Sequence, residues 1–292
     1  MSPVLASQFR TAKLHPCFHA SAKERWGRIH LPVAPQCNIR CNYCDRRYDC
    51  ANESRPGVTS RILQPRDTVP YLSALLKSGT DISVIGIAGP GDSLCEPERT
   101  LETIQEVRRV WPGFLFCLST NGLNLPDHID ELVEAGVTHV TVTVNAVDPS
   151  VGERIYDWVY VDGTRFHGRD AAKFLLARQR EALIRLKSRG IFVKVNTVLL
   201  PGINDSHIEA IAKTVADLGA DVMNCLPMIP VAGAPFAGLA PPSADELRRI
   251  RIKASRQIPQ MSHCTHCRSD AVGLLQPGNP KDFAGNGLCS AS

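Results

Sequence analysis

The chain has 292 residues, 43% of them hydrophobic and 21% charged, with a formal net charge of +4. This is the composition of a globular protein long enough for one large α/β unit or two smaller domains, and its small, evenly spread charge argues against a nucleic-acid partner. No run of about 18 apolar residues occurs and no apolar stretch follows a basic start, so neither a membrane span nor a secretory leader is expected, and a cytoplasmic location is.

Apolar, β-branched runs at Ile29–Ala34, Ile82–Ala88, Phe114–Ser119, Val137–Val144, Phe192–Leu199 and Val222–Met228 read as strands. Amphipathic stretches alternate with them at Arg66–Lys77, Pro97–Val110, Asp127–Glu134, Asp170–Arg189, Ser206–Leu218 and Ala244–Ser255. Glycines close several of these helices, as in Lys77-Ser78-Gly79, Glu134-Ala135-Gly136 and Arg189-Gly190. Strand–helix alternation implies parallel pairing through right-handed crossovers. Six units are visible against the eight of a complete barrel, which predicts an α/β fold with a partial (β/α)6 TIM-like barrel; a doubly wound sheet is the alternative. The expected organisation is an N-terminal extension over residues 1–28, the partial barrel over 29–256, and a C-terminal extension and tail over 257–292. No internal repeat appears beyond the β/α alternation.

Eleven cysteines are many for a chain of this size, and an odd number cannot all pair within it. In a reducing compartment they point to metal binding or redox chemistry. Cys37, Cys41 and Cys44 form C-x3-C-x2-C just after the first strand, where a parallel barrel carries its active-site loops. Three thiolates in eight residues can ligate three irons of a [4Fe–4S] cube and leave the fourth iron open to a substrate. A zinc site is the alternative, with Cys50 as its fourth ligand. Downstream, Cys50 leads to Glu53 and Arg55, which either clamp a charged substrate and transfer protons or form a surface ion pair of little worth. Cys264-Thr265-His266-Cys267 can hold part of a second cluster; a zinc knuckle using His263 and His266, or a redox dithiol, are the other readings. Cys17 follows His15-Pro16 in the N-terminal extension. His30 opens the first strand, where a satisfied strand-end histidine is the plain reading. Cys117 shares a strand face with Ser119 and reads on its own as a small buried hydrophobe. Cys95, Cys225 and Cys289 carry no comparable context.

With Tyr43 ahead of the third cysteine, the C-x3-C-x2-C segment resembles the signature of the radical S-adenosylmethionine (SAM) superfamily. The resemblance implies a [4Fe–4S] cluster on Cys37, Cys41 and Cys44 that binds SAM and cleaves it to a 5′-deoxyadenosyl radical. It also implies cofactor contacts at successive strand ends: Tyr43 in the cluster loop, Gly89 and Gly91 in Gly-Pro-Gly-Asp, Thr120 in Ser-Thr-Asn-Gly, Thr143 and Asn145 in Thr-Val-Asn, and Asn196 and Val198 in Val-Asn-Thr-Val. Ordinary turn chemistry and strand-end polarity is the plain reading of each motif taken singly.

Within that superfamily, His15-Pro16-Cys17, the run Ile29–Pro35, CNIRCNYCDRRYDCANESRPGV and Val198–Asp205 resemble the NifB family of nitrogenase cofactor biosynthesis proteins. This implies that two further [4Fe–4S] clusters are substrates, fused with a SAM-derived carbide and a sulfide into an [8Fe–9S–C] product. Cys17, His30, Cys50, Cys117, Cys264 and Cys267 then become ligands for those substrates, with Glu53 and Arg55 beside the chemistry. The implied partners are a cluster donor protein, a reductant, and a carrier or scaffold protein of nitrogenase assembly. Because the chain ends soon after Cys267, a stand-alone form without the carrier-like domain of many NifB proteins is expected. A radical enzyme that modifies peptides, a non-enzymatic iron–sulfur carrier and a zinc protein are the competing readings.

Overall fold

A computed structural model describes residues 14–77 and 81–275. The expected helix end at Ser78-Gly79, the tail after Gln276 and Cys289 lie outside the described residues. Strands β1 (Gly27–Pro32), β3 (Ile82–Ala88), β4 (Leu115–Thr120), β5 (Val137–Thr143), β8 (Phe192–Leu199) and β9 (Val222–Pro227) form one parallel sheet in that order. The short β10 (Val272–Gly273) pairs antiparallel with the outer side of β1. Between these strands run α1 (Thr68–Leu76), α2 (Pro97–Val110), α3 (Leu125–Glu134), α5 (Gly168–Ser188) and α6 (Ile208–Asp217); α7 (Ala244–Ala254) follows β9. The six expected β/α units are all present, in a curled, open parallel sheet of the half-barrel kind.

Local sequence explains these elements. On α3, Leu125, Ile129 and Leu132 recur on one face and are buried against the sheet; each contributes about 1.5–3 kcal/mol by leaving water. On α6 the same face is Ile208, Ile211, Ala212 and Val215. Helix α7 starts on a capping box, in which Ser243 accepts from the Glu246 N–H and Glu246 accepts from the Ser243 N–H.

The alternation within the strands places the functional side chains. Ile29, Leu31, Ile85, Ile87, Phe116, Leu118, Val140, Val142, Val193 and Val195 join the core under the helices. The opposite, concave face carries polar side chains in register. His30, Gly86, Cys117 and His139 form one row across four strands, Ser119, Thr141 and Lys194 a second, and Thr143, Asn196 and Asn224 a third. A parallel sheet covered on both faces normally presents apolar residues to both. Polar rows on one face mark it as the candidate functional side.

A second, three-stranded antiparallel sheet goes beyond the expected elements. It joins β2 (Ile39–Cys41), β6 (Tyr156–Val161) and β7 (Thr164–His167), with α4 (Pro149–Ile155) leading into β6. The β6–β7 hairpin turns at Asp162 and Gly163, both at positive φ (47° and 79°), as a type I′ Asp-Gly turn requires. Its β6 edge pairs with β2 and fixes the backbone between Cys37 and Cys44.

Candidate functional site

Two adjoining cavities open at the concave face. The first is lined by Cys37, Cys41, Cys44 and Cys50, with Arg46, Asn52, Glu53, Gly91, Asp92, Ser119, Thr120, Asn121 and Thr143. The second is lined by His15, Cys17, His30, Cys117, Cys264 and Cys267, with Glu53, Ser54, Ser119, Thr141, Lys194, Asn196 and Asn224. Glu53 and Ser119 belong to both.

The loop carrying Cys37, Cys41 and Cys44 is held from several directions. Arg46 donates to the Pro35 carbonyl at 2.8 Å and the Pro90 carbonyl at 3.0 Å. Asp92 N–H donates to the Gln36 carbonyl at 2.7 Å, and Gly91 N–H to that of Ala34 at 2.9 Å. This contact requires glycine, since a Cβ on Gly91 would lie 1.9 Å from the Gln36 carbonyl oxygen. Tyr43 turns away from the cavity and is buried, donating to Asn52 and accepting from Asn145 at 2.7 Å. Asn145 in turn accepts from the Val198 N–H at 2.8 Å, and Asn196 donates to the Asn52 carbonyl at 2.7 Å.

The strand-end residues expected at the cofactor therefore divide. Gly91, Thr120 and Thr143 line the first cavity and Asn196 the second, whereas Tyr43, Asn145 and Val198 form the frame behind them. Gly89 packs against Ala34, where a Cβ would meet the carbonyl oxygen at 2.2 Å. Arg55 is exposed, lines neither cavity and forms no ion pair with Glu53 among the described residues; its N–H donates to the Cys267 carbonyl at 2.8 Å. Cys95 lies on a different surface cavity, beside Asn38 and Asn124, and Cys225 is buried in the core.

The nine expected ligands also divide. Cys50 shares the first cavity with the three-cysteine set, and Cys17, His30, Cys117, Cys264 and Cys267 surround the second. The C-terminal segment reaches the second cavity because Arg28, 2% exposed, donates to the Gly273 and Leu274 carbonyls at 2.5 and 2.8 Å and to Cys267 Sγ at 2.8 Å. Asp49 completes the closure by accepting from Ser60 N–H, Ser60 Oγ–H and Ser269 N–H.

Burial dominates the electrostatics. It pushes the thiols of Cys37 and Cys50 well above the ordinary cysteine range, that of Cys44 upward and that of Cys41 to about 12. Burial lifts Cys17 to about 11 and raises Cys117, and it lowers His30 to about 3. Glu53 rises to about 8, chiefly because it is desolvated, with its hydrogen bond to Ser119 opposing the rise.

These donors fit an iron–sulfur cluster. Crowded buried thiols become thiolates only when a bound cation replaces the lost solvation. Among the described residues, no three His, Cys, Asp or Glu side chains converge on a single metal-ion position. Thiols spread around a cavity wall suit a cube that offers each its own iron; one zinc ion needs them drawn together.

A curled half-barrel with three such cysteines in the loop after its first strand defines a radical SAM protein. The family model of the radical SAM superfamily matches residues 31–215, and the chain belongs to that superfamily. Within it, the expected likeness to NifB is borne out. The FeMo cofactor biosynthesis protein NifB of Chlorobaculum tepidum is 48% identical over 263 residues, covering 90% of this chain and 62% of the relative. That of Klebsiella pneumoniae is 43% identical over 287 residues, covering 97% of this chain and 61% of the relative. The chain thus spans less than two thirds of the length of these curated relatives. Among solved structures, methylornithine synthase is 15% identical, with a TM-score of 0.49 over 88% of this chain and 76% of that one. Among the described residues no helix is long and apolar enough to cross a membrane.

Sequence reading passed over Lys194 and Arg28 and quoted His15 and Asp92 only as members of motifs, with no role of their own; all four line or brace the two cavities. A signal existed for Lys194, which is a lysine inside the Val-rich strand Phe-Val-Lys-Val-Asn and two positions from Asn196.

Proposed function

We propose that this chain is a radical SAM enzyme of nitrogenase cofactor assembly. In this reading it fuses two [4Fe–4S] substrate clusters, with a SAM-derived carbide and a sulfide, into an [8Fe–9S–C] product. The observation that carries the proposal is the adjacency of a cavity lined by Cys37, Cys41, Cys44 and Cys50 and a second cavity lined by four cysteines and two histidines, with Glu53 and Ser119 common to both walls.

A resident [4Fe–4S] cluster with bound SAM supplies one-electron cleavage of the sulfonium C–S bond, and hence a 5′-deoxyadenosyl radical. Cys37, Cys41 and Cys44 would hold that cluster, with Gly91, Thr120 and Thr143 as the wall available to SAM. Cys17, His30, Cys117, Cys264 and Cys267 would hold substrate clusters, with Cys50 in the first cavity. Ligation that leaves irons uncovered lets the product depart. Turning a methyl carbon into a carbide removes three hydrogens, one as an atom to the radical and the others as protons. Glu53, whose carboxyl pKa is pushed up to about 8 by burial between the two cavities, would take one of them in its ionised form. Exposed Arg55 would steer an anionic cluster or partner toward the mouth. The partners in this reading are a cluster donor protein, a reductant, and a carrier or scaffold that accepts the product.

The test is anaerobic reconstitution with iron and sulfide, addition of SAM and dithionite, and measurement of 5′-deoxyadenosine and S-adenosylhomocysteine together. Both products are expected, one from radical formation and one from methyl transfer. A fully loaded sample that yields no 5′-deoxyadenosine overturns the reading; one that yields it without S-adenosylhomocysteine overturns the carbide step.

A further inference from the structure

The second cavity contains two polar groups that its cysteines do not explain. Lys194 rises from the middle of β8 and is 8% exposed. Among the described residues its ammonium makes no hydrogen bond or ion pair; it lies over the Phe18 ring, whose centroid is 5.3 Å away. A lysine this buried is ordinarily paired, because an unpaired ammonium out of water is costly.

The second group is His15, 1% exposed. Its Nδ1 accepts from the Cys17 N–H at 3.2 Å. A ring nitrogen that accepts carries no proton, so the ring proton is on Nε2, and among the described residues that Nε2–H has no partner. Both groups belong to the lining of the second cavity, and both are donors.

We propose that Lys194 Nζ and His15 Nε2–H form a sulfide-holding floor in the second cavity, donating to the bridging sulfides of an anionic iron–sulfur guest bound by the surrounding cysteines. The inference rests on the reading that this cavity holds a substrate cluster, and it assigns that reading a non-ligand recognition element. Thiolates and sulfides make such a guest net negative, and a fixed ammonium offsets that charge where solvent cannot. Donors on sulfide hold the guest without occupying an iron, so the irons stay open for fusion. His15 also couples the floor to a ligand, because its orientation is set by the backbone of Cys17.

The experiment uses the full chain, reconstituted anaerobically with iron and sulfide. A comparator with Cys117, Cys264 and Cys267 all changed to alanine defines how much iron belongs to the second cavity. Release of that iron to a ferrous chelator is then timed for the parent, Lys194→Met, Lys194→Arg and His15→Phe. Loss of a charge-assisted hydrogen bond predicts roughly tenfold faster release for Lys194→Met. His15→Phe is expected to release faster by a smaller factor, and Lys194→Arg to restore slow release. A residue that merely packs would not show this charge-dependent rescue. If Lys194→Met fails to fold, His15→Phe alone decides the matter by the same readout. Equal release from all four chains overturns the floor while leaving the cluster-holding cavity intact. A comparator that binds as much iron as the parent overturns the cavity reading and the floor with it.

Discussion

His30 and Cys117 approach each other across Gly86, the residue between them in the same sheet row. A Cβ on Gly86 would stand 3.0 Å from His30 Cδ2 and 3.3 Å from Cys117 Sγ. The missing side chain is what allows an imidazole and a thiol from strands two apart to face one space. Gly86→Ala forces both to shift, at a cost of about 1–3 kcal/mol for overpacking. The expected result is a folded protein with a lower melting temperature that retains less iron in the second cavity after reconstitution. Unchanged iron content would mean that the His30–Cys117 approach does not serve binding.

Gly91 is a harsher case, because the atom that its Cβ would strike is backbone. The Gln36 carbonyl lies 1.9 Å from that position and is already fixed by the Asp92 N–H. Gly91→Ala must therefore displace the strand-to-cluster turn immediately before Cys37. Near-complete loss of 5′-deoxyadenosine formation is expected, and chromatography of the SAM reaction measures it. More than half of the parental rate would contradict this account.

Asp92 ties the end of β3 to the end of β4. Its Oδ1 accepts from Leu94 N–H at 2.9 Å and Thr120 Oγ–H at 2.8 Å, and its Oδ2 accepts from Asn121 N–H at 2.5 Å. In Asp92→Asn, one of these oxygens becomes an NH2 facing a donor. Leaving that donor unsatisfied costs about 1–3 kcal/mol, to be read from the denaturant midpoint at constant m. A midpoint within error of the parent would show that the turn is held by other contacts.

Glu53 predicts a pH dependence with a definite sign. Burial raises its pKa from 4.5 to about 8. The folded chain thus binds this proton more tightly than the unfolded chain, and stability falls with pH while only the folded form retains it. The contribution is complete below pH 4.5 and is lost as pH rises through about 8. Denaturation of metal-free chain across that window should show the decline, and Glu53→Gln should flatten it. Identical slopes for the two chains would remove Glu53 as the source.

The β/α framework was legible because each element depends on neighbours in sequence. Pro97–Val110, Ile82–Ala88 and Phe192–Leu199 begin and end where local periodicity and β-branching place them. The hairpin behind the cluster loop carried a local mark, Val161-Asp162-Gly163-Thr164, that the alternation of longer elements obscured. Its pairing with Ile39–Cys41 carried none, because that contact joins segments more than a hundred residues apart.

Sequence by itself determined the chemistry available: three cysteines at C-x3-C-x2-C, six further donors, and one acid in Cys-Ala-Asn-Glu. Spacing within a single loop is local, so a candidate ligand triad can be read directly. Only the tertiary structure decided how those donors are shared, with Cys50 beside the triad and Cys17, His30, Cys117, Cys264 and Cys267 around a separate space. Their side chains come from both extensions and two different strands, and strand register and the Arg28 clamp bring them together. Tertiary structure alone also showed Glu53 in the wall between the cavities and placed Lys194 in the second without a hydrogen-bond or ion-pair partner among the described residues. Burial and the lack of a partner are properties of the packed chain, and no residue type or spacing encodes them.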